Sequence, residues 1–286
     1  MTAAGKETRK EIKKEKGPRK VYACLGDSIT SEQVTGIGTR VCRKLQMELL
    51  GNFACGWASG SDWHRGDETL TTESLCEQPN CFAPENVLSN QVRRLLRRIE
   101  ETGRVPDIVY IAVSANDGAI DWCRDESPVP LHDDTQQVCT QRYQELTRRS
   151  LASALRWAIE TIRRRCPEAE IYAASPLQAY SPEHEPGAFS GRALWHKREI
   201  IRKICSFCGV HFIDSYYESG FTREIAKEHG QVHPDEEWAE KIAAYVAGVI
   251  TDKRNRNNSW NLTDTGQAVK MIAGFKKNNK FVENSK

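Results

Sequence analysis

Five short apolar runs punctuate the chain: KVYACLG (20–26), NFACGWA (52–58), DIVYIAV (107–113), AEIYAAS (169–175) and GVHFID (209–214). Each is rich in Val, Ile, Tyr, Phe or Ala and is bounded by Gly, Pro, Asp or Ser. Runs of this length read as strands buried on both faces of a parallel sheet. Between them the apolar positions take helical spacing. Ile37, Val41, Leu45 and Leu49 recur every fourth residue, with Gly51-Asn52 as the stop. Leu88, Val92, Leu95, Leu96 and Ile99 line one face of a second helix that ends at Gly103. Arg93, Arg94, Arg97 and Arg98 lie mostly on its other side and read as a solvated face. Tyr143, Leu146, Leu151, Leu155, Ala158 and Ile162 predict a long third helix, closed at Cys166-Pro167 because proline forbids continuation. Leu194, Ile201 and Ile204 mark a fourth. Trp238, Ile242, Tyr245, Val246 and Val249 mark a fifth.

Strand–helix alternation repeated five times predicts one α/β domain over 20–250, with a five-stranded parallel sheet and helices on both faces. Two stretches break the pattern, 118–140 and 176–190. Both follow predicted strands, and ligands of open α/β sheets bind at the carboxyl ends of strands. Loops of this length are often functional.

Charge divides the 286 residues differently. Residues 1–20 and 251–286 each carry eight Lys/Arg and three Asp/Glu, which leaves 25 basic and 33 acidic residues between them. An acidic body therefore bears two basic ends, 1–19 and 251–286. They read as solvated tails, with tethering to an anionic partner as the functional alternative. Nucleic acid is not the expected partner, because aromatic residues are sparse in both tails. No apolar run is long enough to span a bilayer. The charged N-terminal stretch does not read as a secretory signal, so the expected location is the cytoplasm, with non-classical release left open.

Ten cysteines fit reduced, buried thiols better than a disulfide framework in that setting. CSFC at 205–208 is a lone Cys-x-x-Cys pair without the second pair of ligands a zinc site needs. Neither a metal nor a cofactor is expected.

The chemistry gathers at one sheet edge. In CLGDSIT, Ser28 follows the first predicted strand. A serine hydroxyl becomes a nucleophile only with a base to take its proton and donors to hold the resulting oxyanion. Asn116 in VSANDG supplies a side-chain amide after the third strand, and Gly60 in WASGSDW a backbone N–H after the second. His233 stands just before Pro234 and the last helix, on the same edge.

These residues, in this order, resemble the SGNH hydrolases, also called the GDSL esterase/lipase family. GDSIT resembles the first block of that family, ASGSD the second, SAND the third and VHPDEEWAEKIA the fifth. The resemblance covers about 20–250. It implies a flavodoxin-like three-layer α/β/α sandwich and hydrolysis of ester bonds. It also implies Ser28 as nucleophile and His233 as base, with an oxyanion hole formed by the amides of Ser28 and Gly60 and the side chain of Asn116. Asp27 and Asp117 are expected in supporting roles.

Three departures qualify it. HRGDETL offers Gly66 as a rival to Gly60, and Ser114 replaces the usual glycine of the third block. The aspartate that normally precedes the histidine by three residues is replaced by Gly230. Glu228 is the leading substitute and Asp235 the other, neither at the usual spacing. The preferred reading is a Ser28–His233 dyad, the histidine's other nitrogen bonded to a backbone carbonyl or a carboxylate from elsewhere.

Trp63, His64, Trp122 and Trp195 are candidates to line a pocket or simply to pack. The expected substrate is a small ester or an O-acylated carbohydrate, because neither long loop offers an extended apolar surface for a lipid chain. The alternative is a catalytically impaired domain that binds a carbohydrate or a protein. A nucleotide-binding protein of similar fold is disfavoured, since GDSITSEQVTGIG has neither a P-loop pattern nor the dinucleotide glycine spacing.

Overall fold

The apolar runs become β1 (Val21–Gly26), β2 (Glu48–Asn52), β3 (Ile108–Ala112), β4 (Glu170–Ala174) and β5 (His211–Ile213). In this computed structural model, which describes residues 19–62, 87–117, 133–182 and 189–255, they pair in parallel in the order β2-β1-β3-β4-β5. The chain steps from β1 to one side for β2 and to the other for β3. The strand order therefore reverses between β1 and β3, and a crevice opens at such a switch point beyond the strands' carboxyl ends.

Side chains alternate across the sheet. Val21, Ala23 and Leu25 of β1, with Val109, Ile111, Ile171 and Ala173, pack under α2 (Leu88–Thr102), α4 (Leu151–Arg165) and α5 (Gly191–Cys208). Tyr22, Cys24, Ile108, Tyr110, Tyr172 and Ala174 face the other way. They pack on α1 (Ile37–Lys44) and the last helix, α8 (236–255). The result is the expected flavodoxin-like three-layer sandwich. Three short helices, α3 (Thr135–Thr140), α6 (Ser215–Glu218) and α7 (Arg223–Glu228), fill in connections.

Four expected elements move their bounds. The first helix ends at Lys44 instead of running on to Leu49, because Gln46 takes a left-handed φ of 54° and turns the chain into β2. The second strand is thus 48–52 rather than 52–58. Residues 53–58 are a loop in which Trp57 also has a positive φ, 60°. The third long helix starts at Leu151. Ser150 caps it by accepting from Ser153 N, while Tyr143 lies in a separate 3-10 turn and Leu146 outside any helix. The last helix runs through the expected boundary at 250 to residue 255.

The seven described cysteines carry free thiols. Among the described residues no group of side chains is arranged to hold a metal ion, and no helix is long and apolar enough to cross a membrane.

Candidate active site

Ser28 is lifted out of the sheet by a tight turn at the end of β1. Thr30 N and Ser31 N both donate to Asp27 O, at 3.1 and 2.9 Å. Gly26, the last residue of the strand, has no room for a side chain, since a Cβ there would lie 2.6 Å from Ala112 O. Its N–H and C=O are bracketed instead by the buried amide of Gln91 on α2, at 2.7 and 2.8 Å. This bracket fixes the peptide from which the serine turn departs.

The Asp27 carboxylate ties that turn to the next. Its Oδ1 accepts from Ile29 N at 3.1 Å, and its Oδ2 from Ala115 N and Ser114 N at 3.3 and 3.5 Å. Burial pushes its pKa up to about 6, against the three amides, which favour the charged form. The expected supporting role of Asp27 thus extends beyond its own turn to the one that carries Asn116.

Asn116 Nδ2 donates to Ala58 O at 2.9 Å. An amide nitrogen has two hydrogens, so holding one against a fixed carbonyl aims the other. Asp117 anchors the segment after β2. Its Oδ2 accepts from Gly60 N at 2.6 Å, and its Oδ1 accepts from Ser61 N and Ser61 Oγ at 2.9 and 2.7 Å. This corrects one expectation. The Gly60 N–H faces the Asp117 carboxylate rather than an oxyanion, because its one hydrogen is already held by that charged acceptor inside the fold. Gly66, the rival, lies outside the described residues, as do Trp63, His64 and Trp122. Among the described residues, the Asn116 side chain and the N–H of Ser28 are the remaining candidate donors beside Ser28 Oγ.

His233 Nε2 lies 2.8 Å from Ser28 Oγ. Its backbone N–H donates to Gly230 O, and Pro234 starts the run into α8. Arg40 of α1 clamps that helix to the serine side of the fold. It bonds Glu236 through two nitrogens at 2.7 and 2.6 Å, and Glu240 at 2.6 Å.

Neither of the two carboxylates that the sequence offered, Asp235 and Glu228, bonds His233. Asp235 is taken by His229 Nδ1 at 2.8 Å and by Trp238 N at 3.0 Å. Glu228 is exposed at the end of α7. Among the described residues neither a carboxylate nor a backbone carbonyl bonds His233 Nδ1. The pKa of His233 accordingly moves down, for one reason, the desolvation of its ring by the surrounding protein.

Sequence reasoning missed Gln91 and the buried Lys197 behind the Asn116 turn. Gln91 sat within a helical pattern where polar positions read as solvent-facing. Trp195 is 43% exposed on α5 and packs in neither core cluster.

The fold brings Ser28 and His233 into contact at the switch point, with Asn116 on the adjoining turn. Residues 24–241 match the GDSL-like Lipase/Acylhydrolase family. The chain belongs to that family. Membership places it among ester hydrolases. No curated protein matches the chain in sequence. Among solved structures, a protein from Lactobacillus plantarum aligns over 82% of this chain and 98% of its own, with TM-score 0.54 and 17% identity. The inhibitor-bound aryl esterase of M. smegmatis aligns over 82% and 99%, with TM-score 0.51 and 12% identity. At these identities the likeness is one of fold.

Proposed function

We propose that this GDSL-family hydrolase is a serine esterase working through an acyl-enzyme, with Ser28 and His233 as a catalytic dyad. The observation that carries the reading is the 2.8 Å contact between Ser28 Oγ and His233 Nε2, beside the Asn116 amide. His233 takes the proton of Ser28 as Oγ attacks the ester carbonyl. The tetrahedral oxyanion accepts from the Ser28 N–H and from Asn116 Nδ2. The C–O bond to the alcohol breaks, and the alcohol leaves with the proton returned by His233. Water, deprotonated by the same imidazole, then attacks the acyl-serine and releases the acid with Ser28 restored.

A dyad without an orienting carboxylate is slower than a triad but not inert, since catalysis survives in part when single members of a triad are removed.

The acyl group is small in this reading, and its alcohol a carbohydrate. The two loops beyond the strand ends are rich in polar and charged residues.

The test is hydrolysis of p-nitrophenyl acetate, longer p-nitrophenyl esters and acetylated sugars by the wild type and by Ser28→Ala. The reading predicts activity highest on acetate and abolished in the variant. A wild type inactive on every ester would favour a binding domain in which the substitution at Gly230 has removed catalysis.

A further inference from the structure

Asp27 and Asp117 assemble the site between them. One gathers the amides of residues 29, 114 and 115, the other those of 60 and 61. Both are buried, Asp27 next to Ser28 and Asp117 next to Asn116 in the chain. Buried negative charge there opposes the negative charge that develops in the transition state.

Across the fold stands a buried cation. Lys197 on α5 has no exposed surface, and its ammonium donates to Ala115 O at 2.7 Å. Ala115 immediately precedes Asn116. Nζ also sits 5.8 Å from the centre of the Phe189 ring. The neighbouring inward positions of this helix are Leu194, Ile200 and Ile201. An apolar side chain would fill the same space without the cost of burying an ion. A charge kept at that cost beside two functional carboxylates marks a role in the site.

We propose that Lys197 is a positioning residue for ester hydrolysis: its ammonium fixes the turn carrying Asn116 and offsets the charges of Asp27 and Asp117 where the oxyanion develops. This rests on the esterase reading. The proton on Lys197 is then required for full activity. Burial lowers its pKa to about 8, with Asp117 and Asp27 drawing it back up. Other charged groups nearby are otherwise engaged. Arg223 donates to Ala179 O and Phe189 O, Arg198 on the same helix pairs with Asp214, and His196 faces Asp133.

The experiment measures kcat and KM for p-nitrophenyl acetate from pH 6 to 9.5 in wild type, Lys197→Met and Lys197→Gln. Alongside, it follows the amide NMR shifts of Ala115 and Asn116 with pH. The proposal predicts kcat lowered more than tenfold with KM within about threefold. It also predicts an alkaline limb near pH 8 in the wild type that Lys197→Met lacks. The two amides should titrate with the same midpoint in the wild type alone. Unchanged kcat, or an alkaline limb that persists in Lys197→Met, overturns it. If neither variant folds, the wild type decides, and a flat profile from pH 7 to 9.5 overturns it. A wild type that hydrolyses no ester defeats the esterase reading. The amide titration still tests Lys197 in that case, and its absence overturns the proposal.

Discussion

Gly230 and His233 are locked together in a way that forbids the family's usual acid. Gly230 has φ +100°, and a Cβ built on it would lie 2.0 Å from His233 O. The same two residues share the turn bond from His233 N to Gly230 O. The backbone that delivers the imidazole to Ser28 leaves no space for the aspartate that the motif would otherwise place at 230. Restoring it should therefore fail. Gly230→Asp is expected to lower stability by about 1–3 kcal/mol, through the positive φ and the displaced turn. It should reduce kcat rather than raise it. Thermal melting and p-nitrophenyl acetate kinetics on the purified variant check both, and a gain in kcat would show that the turn can be rebuilt.

The base should work at lower pH than a carboxylate-paired histidine. Desolvation lowers the pKa of His233, and among the described residues no negative neighbour raises it. Only the neutral imidazole accepts the Ser28 proton, so activity falls as pH drops through that pKa. The acid limb of kcat/KM is expected below the ordinary imidazole value of about 6.5. A limb at or above 7 would point to a carboxylate partner supplied by residues 63–86 or 118–132.

In the proposed mechanism Asn116 is the side-chain donor to the oxyanion, and Ala58 O already holds one of its amide hydrogens. Asn116→Ala should cost about 10²–10³ in kcat with little change in KM, the signature of a contact made in the transition state. Circular dichroism should show an unchanged fold. A loss confined to KM would assign the amide to substrate binding instead.

Asp27 makes stability depend on pH. Its folded pKa of about 6 exceeds the unfolded value of 3.8, so the folded state binds a proton between those pH values that the unfolded state lacks. Its contribution is most favourable below pH 4, declines as pH rises to about 6, and is flat above. A shift of about two units corresponds to about 3 kcal/mol. Asp27→Asn removes this term and also loses hydrogen-bond acceptors. Relative to wild type, the variant should gain about 2–3 kcal/mol between pH 4 and pH 7. Urea unfolding at the two pH values measures it, and parallel pH dependence in both proteins would refute it.

The layered architecture was legible because its signals are local. Four of the five apolar runs lie on strands where expected, and Gly103 and Pro167 mark real helix ends. The misplaced second strand had no such mark. Leu45 and Leu49 fit helical spacing, and the break between them rests on Gln46, a residue without the turn preference of Gly or Asn. Ser150 was a readable cap that the longer apolar series obscured.

Ser28, Asn116 and His233 were legible as short blocks, and the fold brings Ser28 and His233 into contact across 205 residues. What holds them was not legible. Gln91 reaches Gly26 across 65 residues, Asp117 reaches Gly60 across 57, and Lys197 reaches Ala115 across 82. Spacing along one chain carries no signal for such contacts. The substitution of Gly230 was visible, but the steric reason for it required the turn.

If Ser28 and His233 act as one unit, a double-mutant cycle on kcat shows it. Residues that act together are non-additive, so either single loss already removes the shared step. Ser28→Ala and His233→Ala should each lower p-nitrophenyl acetate turnover by about 10³ or more, and the double variant should be no slower than the worse single one. Substantial turnover by Ser28→Ala, or a double variant whose loss is the product of the two single losses, would contradict the account.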